Sequence, residues 1–426
     1  MQKLLLIILL LTTFLYSQER GNRPRGFRNF RQLNATVQLI PKSGIDISVS
    51  YLYRIPYNQV IFEKDGDSFN ASVRVLVEVM RDEELVERNF EDKKITVTDF
   101  DITQSKSVAI EGIIDFEIDA DEFVIRGVVT DLNSQKELRL SPVEIDGMSY
   151  LESGIFTPVV INFAESNCNG KNLPLVVNHG GSIPFSSQDY QLVIPVVDTT
   201  VEQISIELRN NDEDNPSTQT LTESYITKIS LVECNNKLFV GQGNNVLITK
   251  NFILRNFSQY LHEGVLIATI KLSEDGEEHE FPIRVVWLNK PISLRNPEFA
   301  IEMLKYVVEG ELVSNLLDED EDDYQKVLHE FWKQYDPTSE TEYNELMEEY
   351  YSRIDYAALE FRGISKDNGL STDRGKIYIK HGKPDNIERA SDSQGYVVET
   401  WIYKILKQKF VFVDKQGTGN FILIEG

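Results

Sequence analysis

Residues that build metal and redox centres are scarce in this sequence. The 426 residues include two cysteines and five histidines. Two thiols are too few for a multi-disulfide framework or a four-thiolate zinc site. The sequence has no Cys-x-x-Cys, H-E-x-x-H, G-x-S-x-G or Walker A motif. We therefore expect no metal site, no cofactor and no catalytic residue of these recognised classes.

Basic residues are scarce as well. Lys and Arg total 43 against 68 Asp and Glu, which gives a net charge of −25 at pH 7. Nucleic-acid binding needs a basic surface that neutralises phosphates, so this composition argues against a nucleic-acid partner. Hydrophobic residues make up 41%, which is enough to bury a core. A chain of this length predicts about three domains.

Long apolar runs are absent apart from one at the N-terminus. Thirteen mostly apolar residues, Leu4–Tyr16, follow Lys3. A bilayer span takes about 20 residues, whereas a short apolar run behind a positive charge is typical of a secretory signal peptide. We assign residues 1–17 to this signal, with an uncleaved anchor as the alternative. No cysteine follows for lipid attachment. We expect an exported, unlipidated protein, periplasmic or associated with the outer membrane, whose mature chain has no transmembrane span.

The next segment, residues 18–36, is basic. It holds five arginines against Glu19, a net charge of +4, together with Gly21 and Pro24. It lacks hydrophobic periodicity and has the composition of a flexible arm. Residues 20–31 either make a weak contact with an anionic surface or belong to a solvated linker, and we prefer the linker.

The two cysteines, Cys168 and Cys234, fall in one predicted domain. They are 66 residues apart in the sequence. In an oxidising compartment a bridge would close this long loop and stabilise the fold. The alternative is two unpaired thiols, and the sequence leaves both open.

Two successive regions, residues 37–146 and 147–291, have the patterns of β-strands. In the first, four valines stand at alternate positions from Val73 to Val79. A period of two places one face of a strand in a core and the other in solvent. Turn residues separate several such runs, which include Ile45–Tyr53, Ile95–Phe100 and Glu122–Asp131. We expect each region to be a β-sandwich of immunoglobulin-like size.

A hairpin is the clearest prediction in the second region. Apolar residues alternate in Leu266–Leu272 and in Phe281–Trp287, on either side of Glu274–Glu277. The Asp275-Gly276 step favours a positive φ in the turn. Further strands are predicted at Tyr190–Val197, Gln203–Arg209, Ile226–Val232 and Asn245–Thr249.

From residue 292 the hydrophobic period changes to 3.6. Asn296 and Pro297 form a helix start, with Ala300, Leu304, Val307 and Val308 on one face. Amphipathic stripes predict two more helices, over Tyr324–Tyr335 and Tyr343–Phe361.

The predicted fold class is therefore multidomain and mainly β. Two immunoglobulin-like β-sandwich modules precede an α-helical segment, residues 292–363, and a small α+β antiparallel C-terminal domain, residues 364–426. We expect residues 292–426 to fold as one unit.

Charge is uneven in this last part of the chain. Residues 295–363 contain 6 basic and 19 acidic side chains, a net −13, whereas residues 364–426 contain 10 basic and 8 acidic ones. Six consecutive carboxylates, Asp318–Asp323, form the densest acidic run. Ca²⁺ prefers several carboxylate ligands, but the run lacks the spaced ligands and central glycine of an EF-hand loop. A solvated loop before a helix N-terminus is the interpretation we prefer.

The most informative segment, residues 369–385, reads GLSTDRGKIYIKHGKPD. Together with its flanks over residues 295–426, it resembles the GWxTD domain family of exported bacterial proteins of uncharacterised function. This resemblance implies an envelope location and a β-rich region ahead of the domain, and it implies no known reaction. The positions that match the family pattern are Trp332, Asp336, Pro337, Asn344, Tyr350, Arg353, Gly369, Thr372, Gly375, Gly382, Pro384, Trp401 and Tyr403.

Two positions depart from the family pattern. Leu370 stands where the family has its Trp, and Tyr335 stands where an Arg usually precedes the Asp-Pro pair. Roles that need those two side chains are not carried over.

The local chemistry of the segment also predicts structure. Thr372 or Asp373 can accept backbone N–H groups and set a turn. We expect Gly375 to lead into a strand, Lys376–His381, and Gly382 and Pro384 to turn the chain sharply.

Four polar residues, Asp373, Arg374, His381 and Asp385, form the candidate functional cluster. One interpretation is a binding or acid–base site in which His381 titrates near neutral pH. The other, which we prefer, is a buried Asp–Arg pair with carboxylates that fix turns. A second loop, His179-Gly180-Gly181, either binds an anion through its backbone or makes a simple turn.

These observations predict a non-enzymatic binding or scaffold protein of the cell envelope, with an envelope protein or polymer as its partner. Two alternatives stay open. An envelope-polymer hydrolase would need the four cluster residues to converge in an open cleft. A carbohydrate-binding module would need exposed coplanar aromatic side chains on a sandwich.

Overall fold

The computed structural model describes residues 35–42, 46–164, 167–210, 216–244, 246–362 and 368–426. The predicted signal peptide at residues 1–17, and all of the basic arm except Ala35 and Thr36, lie outside the described residues. The chain is mainly β with several sheets, as predicted, and most helices lie near its C-terminal end. A helix long and apolar enough to cross a membrane does not occur in these ranges.

Two sheets in the first region enclose an apolar core. One is antiparallel with the order β1-β2-β6; the other has the order β3-β4-β7-β8, with β5 on β4 and β9 on β7. The valines from Val73 to Val79 are fully buried on β4, so the predicted alternation is confirmed. The strands are β1 Ala35–Pro41, β2 Asp46–Pro56, β3 Glu63–Asp65, β4 Ser68–Arg81, β5 Glu84–Val97, β6 Ala109–Asp119, β7 Glu122–Asp131, β8 Lys136–Arg139 and β9 Val143–Asp146.

One strand end in this region differs from the prediction. The sequence predicts a strand through Phe100, but β5 ends at Val97 and Phe100 begins a short helix, α1 Phe100–Thr103. The carboxylate of Asp99 accepts the Asp101 N–H at 2.9 Å, which caps the helix. In the predicted run Ile45–Tyr53, Ile45 lies outside the described residues and the rest belongs to β2.

Helix α2, Gly147–Ser153, precedes the second region. Two further sheets enclose a core in this region. Their orders are β18-β21-β15-β10-β13-β20-β19 and β14-β23-β22-β16-β17. The strands are β10 Val159–Asn162, β11 Asn167–Cys168, β12 Lys171–Asn172, β13 Leu175–Val176, β14 Ile183–Pro184, β15 Gln191–Val196, β16 Ile204–Asn210, β17 Ser217–Leu221, β18 Ser224–Thr227, β19 Ile229–Cys234, β20 Lys237–Gln242, β21 Thr249–Leu254, β22 Gly264–Lys271 and β23 His279–Val286.

The predicted hairpin is present, but the conformation of its turn differs from the prediction. Leu266 pairs with Ile283 and Ala268 with Phe281. The strands stop at Lys271 and His279, and Gly276 does not have the positive φ that the Asp-Gly step predicts. Instead the Gly276 N–H donates to the Ser273 carbonyl at 3.0 Å.

Two other strand predictions in the second region are wrong in their bounds. The run Ile226–Val232 is divided between β18 and β19, which pair with different neighbours. The predicted strand Asn245–Thr249 only begins at Thr249, and Asn245 itself lies outside the described residues. Polar residues interrupt or flank the apolar residues of both runs, so the strand ends carry little signal.

The two β regions are stacked on one another. Ile40 and Leu52, on the outer face of the β1-β2-β6 sheet, share an apolar cluster with Val159, Val193 and other residues of the β10 sheet. The β1-β2-β6 sheet is therefore covered on both faces, because its inner face belongs to the first-region core. Backbone bonds add to this contact, since the Leu247 N–H donates to the Pro41 carbonyl at 2.9 Å.

A largely buried ionic contact also joins the two β regions. The Nε2 atom of His179 lies 2.8 Å from the Glu111 carboxylate, and Arg54 Nε lies 3.6 Å from it. Burial raises the pKa of Glu111, but the charges of His179, Arg54 and Lys237 outweigh it, so the net pKa lies below the ordinary value. Gly180 has a φ of +80° and lies against Arg54, where a Cβ would meet the arginine side chain at 2.5 Å.

Cys168 and Cys234 form a disulfide, so the bridged alternative is the one the structure contains. Their Cα atoms are 5.8 Å apart. The bridge ties the β11–β12 turn to the end of β19 and packs on Phe239.

The C-terminal part places helices on one face of an antiparallel sheet with the order β24-β25-β26-β27. One aromatic-rich core spans it, from Trp287 to Phe412. Its elements are α3 Pro297–Met303, α4 Gly310–Leu317, α5 Tyr324–Lys333, α6 Glu345–Glu360, α7 Asp373–His381, β24 Asn386–Ser391, β25 Val397–Tyr403, β26 Gln408–Asp414 and β27 Ile422–Glu425. Short 3₁₀ turns in the chain occupy Tyr57–Gln59, Phe257–Tyr260, Ile292–Arg295, Leu304–Tyr306, Glu321–Asp323 and Gly369–Ser371.

The largest error of the sequence prediction lies in this part. The predicted strand Lys376–His381 is instead the body of helix α7. The Thr372 hydroxyl accepts the Gly375 N–H at 3.0 Å and so caps the helix one turn before the apolar residues. Helix α4 has no counterpart in the prediction. In the first helix the Asn296 cap is confirmed, with Phe299 N–H donating at 3.2 Å, but Val307 lies past its end and is exposed.

An aromatic contact joins the second β region to the helices. Phe185, Trp287 and Tyr343 meet edge to face, with ring centroids 5.4 to 5.6 Å apart. Asp355 of α6 accepts the N–H groups of Ile292 and Ser293 at 2.5 and 3.0 Å, which fixes the chain where it leaves the β region.

The contact between the β regions leads to a pH-dependent prediction. Replacing Glu111 by Gln leaves Arg54 and His179 without their buried carboxylate, so we expect the free energy of unfolding at pH 7 to fall by about 3 kcal/mol. The folded pKa of Glu111 is depressed, so its stabilisation is complete above the unfolded pKa, near 4.3, and is lost as the pH falls through the folded pKa.

Urea unfolding of wild type and Glu111→Gln across this pH range measures the effect. The difference should hold above pH ~5 and shrink below pH ~4. Glu117→Gln is the matched control on β6, because the Glu117 side chain is 71% exposed. Equal losses in both variants, or a pH-independent difference, would contradict the prediction.

The disulfide leads to a second prediction. A bridge that spans 66 residues restricts the unfolded chain, so the Cys168→Ala/Cys234→Ala variant should lose about 4 kcal/mol of unfolding free energy in urea. Intact mass should rise by two hydrogens on reduction. Alkylation of both thiols in the unreduced protein would show that the bridge is absent.

Candidate functional site

The turn before α7 depends on two glycines. A Cβ on Gly375 would lie 2.0 Å from the Gly369 carbonyl oxygen, and a Cβ on Gly369 would lie 1.9 Å from the Ala357 carbonyl oxygen. The Thr372 hydroxyl donates to the Gly369 carbonyl at 2.7 Å. The segment from Gly369 to Gly375 is therefore held by direct backbone contact with helix α6.

Both aspartates of the predicted cluster bind backbone groups. Asp373 Oδ2 accepts the Leu423 N–H at 2.9 Å, and Asp385 Oδ2 accepts the Lys404 N–H at 2.6 Å. The first bond fastens β27 to the start of α7, and the second fastens the turn after β25. The two carboxylates hold different parts of the sheet.

His381 lies at the opposite end of α7 from Asp373. The two residues are eight positions apart in the helix, a rise of about 12 Å. The His381 ring lies 5.2 Å from the Phe410 ring and 5.7 Å from the Tyr403 ring. Burial, then the charges of Lys380 and Arg353, lower the pKa of His381 below its ordinary value. The neutral imidazole is thus favoured at neutral pH.

Arg374 is the most enclosed member of the predicted cluster, with 9% of its surface exposed. Its guanidinium lies 4.1 Å from the centroid of Phe421 and 5.3 Å from that of Phe361. Nη2 donates to the Gly419 carbonyl at 3.2 Å, and Nη1 lies 3.5 Å from Glu399 Oε1. Burial lowers the pKa of Arg374, and Glu399 opposes that effect.

Glu399 is the partner that sequence reasoning left out of the cluster. It is 1% exposed, and it accepts the Trp401 indole N–H at 2.7 Å and Arg389 Nε at 2.8 Å. Glu399 alternates with Trp401 and Tyr403 on one face of β25. A carboxylate in phase with two buried aromatic residues is the sequence signal that could have identified it.

The predicted cluster therefore does not converge on one cleft. Asp373, His381 and Asp385 have separate partners, and Arg374 belongs to an Arg–Glu–Arg network with Glu399 and Arg389. Near this network, Asp414 accepts the N–H groups of Gln416, Thr418 and Gly419. These contacts fix loops and strands. The preferred interpretation expected a buried Asp–Arg pair, which is wrong in its acidic partner, because the carboxylate beside Arg374 is that of Glu399 and Asp373 accepts a backbone N–H instead.

The upstream residues of the family pattern also have structural partners. Asn344 caps α6 by accepting the Met347 N–H at 2.8 Å, and its amide donates to the Trp332 carbonyl at 2.9 Å. Tyr350 donates to the Met303 carbonyl at 2.5 Å. Asp336 accepts the Thr338 N–H at 2.8 Å and so forms a turn after α5. Pro337 lies within this turn and cannot continue the helix.

The downstream pattern residues close the end of α7. Gly382 has a φ of +76°, and its carbonyl accepts the Tyr403 hydroxyl at 2.8 Å. A Cβ on Gly382 would meet the Arg353 guanidinium carbon at 3.0 Å. Trp401 and the nearby Pro384 are buried.

The two departures from the family pattern have different surroundings. Leu370 is buried in the C-terminal core, and its carbonyl accepts the Tyr306 hydroxyl at 2.9 Å. Tyr335 is 51% exposed, and its ring lies 5.4 Å from that of Phe331. The position of the usual arginine is thus a surface position in this chain.

An apolar depression, here called the helical groove, runs over the surface of α4, α5 and α6. Its two adjoining parts have volumes of 380 and 270 Å³ and meet at Phe331 and Tyr335. Trp332, Tyr350 and Arg353 of the family pattern line it as well. The apolar residues that define the groove are Val307, Leu312, Leu316, Phe331, Tyr335 and Leu346.

A larger cleft of 790 Å³ lies between the second β region and the helices. Phe185 and Trp287 form part of its wall. In its wall Lys290 forms an ion pair with Glu263 at 2.7 Å, and His329 Nε2 lies 3.2 Å from the Glu342 carboxylate. Trp287 is largely buried, so the cleft does not offer that indole as an exposed stacking surface.

The acidic run Asp318–Asp323 joins α4 to α5. Its residues are exposed, and Glu321–Asp323 form a 3₁₀ turn before Tyr324. In the described part of the chain, no group of three or more carboxylate, histidine or cysteine side chains is arranged to hold a metal ion.

The C-terminal unit is thus an α+β domain built on a G-x-x-T-D turn and a buried Arg–Glu network. The family model of the GWxTD domain matches residues 271–424. The chain therefore contains a GWxTD domain, as its sequence predicts. The matched region begins at the end of β22, so it includes β23 and starts before the helices. A comparison with curated proteins finds no match.

The Arg–Glu network leads to a stability prediction. Glu399→Ala leaves Arg374 buried without its carboxylate, so we expect a loss of about 3–5 kcal/mol in urea unfolding. Arg389→Ala, which removes a partner that is 70% exposed, should cost less than about 1 kcal/mol. If both variants lose the same amount, the network is not the stabilising element proposed.

Proposed function

We propose that this chain is an exported protein of the cell envelope that binds a partner protein through its GWxTD domain and does not catalyse a reaction. On this proposal, the two β regions are immunoglobulin-like modules that place the GWxTD domain at a distance from the N-terminal end of the chain. The helical groove is the observation that carries the proposal, because it is an apolar surface to which family-pattern residues contribute.

The exposed fractions in the groove support partner binding. Val307 is 48% exposed, Tyr335 is 51% exposed and Leu346 is 45% exposed. Single exposed apolar residues are ordinary, but a contiguous set around a depression is typical of an interaction site.

The contacts of the candidate cluster favour binding over hydrolysis. General acid–base catalysis needs two groups within reach of one substrate bond. Asp373 and Asp385 accept backbone N–H groups, and His381 lies between aromatic rings at the far end of α7. These residues therefore offer no paired acid and base.

A sugar-binding role has less support. Among the described residues, the stacked aromatic pair is Tyr356 and Tyr378, with centroids 4.6 Å apart, and it lies on helices α6 and α7 rather than on a sandwich. Export is supported by the apolar run Leu4–Tyr16 and by the disulfide, which suits an oxidising compartment.

Capture from a native envelope extract tests the proposal. The purified chain serves as bait, and Leu346→Ser removes an exposed apolar side chain from the groove. We expect a specific captured protein to fall roughly tenfold in amount, the loss that burial of one leucine side chain implies. Leu359→Ser is the matched control, because Leu359 is 57% exposed on the same helix and does not line the groove.

Melting curves of both variants establish that each is folded. Capture that is the same for wild type and Leu346→Ser, or lost equally in both variants, would refute the groove as the binding site. Turnover of an envelope polymer that is abolished by His381→Ala would favour the hydrolase instead.

A further inference from the structure

We infer that the helical groove binds a cationic amphipathic helix of its partner protein. This inference rests on the function proposed above and adds the chemistry of the partner. Three features of the described residues support it: the apolar floor, an unneutralised acidic border, and walls that consist of helices.

The apolar floor requires an apolar face on the partner. Leu312 is 39% exposed at the α4 side and Leu346 is 45% exposed at the α6 side, with Phe331 and Tyr335 between them. An occupant with apolar side chains on one face would remove this surface from water.

The acidic border sets the charge of the partner. Glu319 and Asp323 line the groove and belong to the run Asp318–Asp323. Within the described ranges these six carboxylates form no ion pair, and all are exposed. Together with Glu330 and Glu349, four carboxylates line the groove against three cations, Lys326, Arg353 and Lys380, and the rest of the run Asp318–Asp323 adjoins it in the sequence. Arg353 is already paired with Glu349 at 2.7 Å.

The walls favour a helix over an extended strand. The groove lies between α4, α5 and α6, whose backbone groups bond within each helix. A peptide that binds by adding a β-strand needs the free backbone groups of a sheet edge, and a groove between helices does not present them. Side-chain packing remains, and an amphipathic helix places its apolar residues on one face for that contact.

Fluorescence anisotropy with synthetic peptides tests the inference. The probe is a labelled amphipathic helix with leucines on one face and lysines on the other. It has about 14 residues, or a length of roughly 21 Å. A scrambled peptide of the same composition, a Leu/Glu helix and a peptide of residues 18–34 are the comparisons. The full chain is the receptor.

Two pairs of variants locate the binding. Leu346→Ser should weaken binding of the Leu/Lys helix roughly tenfold, while Leu359→Ser leaves it unchanged. Glu319→Gln/Asp323→Asn should weaken it and reduce its salt dependence, because those charges attract the lysines. Glu274→Gln/Asp275→Asn removes two exposed carboxylates from the β22–β23 turn and should have no effect.

Several outcomes would overturn the inference. They are absence of binding, equal binding of the Leu/Glu or scrambled peptide, and equal loss in the control variants. Selective binding of the 18–34 peptide alone would make the chain's own arm the occupant. If the peptides fail but Leu346→Ser still lowers capture from the extract, only the partner chemistry is wrong and the proposed function stands.

Discussion

The β1-β2-β6 sheet is buried on both faces, and the arrangement of the two β regions depends on that burial. In β2, Tyr51 and Tyr53 belong to the first-region core, whereas Leu52 belongs to the cluster shared with the second region. A shift of one residue in register would exchange these two sets of side chains. The pairing that closes the first region therefore also positions the second, and the buried Glu111 contact adds a charge that must be neutralised at the same boundary.

The GWxTD domain uses its family-pattern residues mainly for its own structure. Gly369 and Gly375 allow backbone contact, Asn344 caps a helix and joins it to α5, and Arg374 depends on Glu399. Such residues leave the surface of the helices free to vary, as Tyr335 does. These structural contacts explain why a polar motif here need not indicate a reaction.

Sequence patterns predicted those elements in which local period and burial agree. The valines of β4 and the hairpin of β22 and β23 follow from alternation alone. Helix α7 was predicted as a strand because Ile377 and Ile379 alternate with Lys376, Tyr378 and Lys380. What decides for a helix is the Thr372 cap and a backbone contact with α6, which is tertiary information. The types of the candidate site residues indicated polar contacts. Their spacing in the sequence did not reveal that Asp373 and His381 lie at opposite ends of α7, or that Asp373 and Asp385 bind backbone N–H groups.

The partners of Arg374 have a consequence for the order in which the chain folds. Glu399, Gly419 and Phe421 all follow Arg374, and the last strand, β27, is held by Asp373. The cores of the two β regions are complete by residue 286. A chain that emerges N-terminus first can close those cores early, whereas its acidic helices must wait for the final residues before their aromatic core is sealed. The last residues of the polypeptide thus complete the folding of this domain.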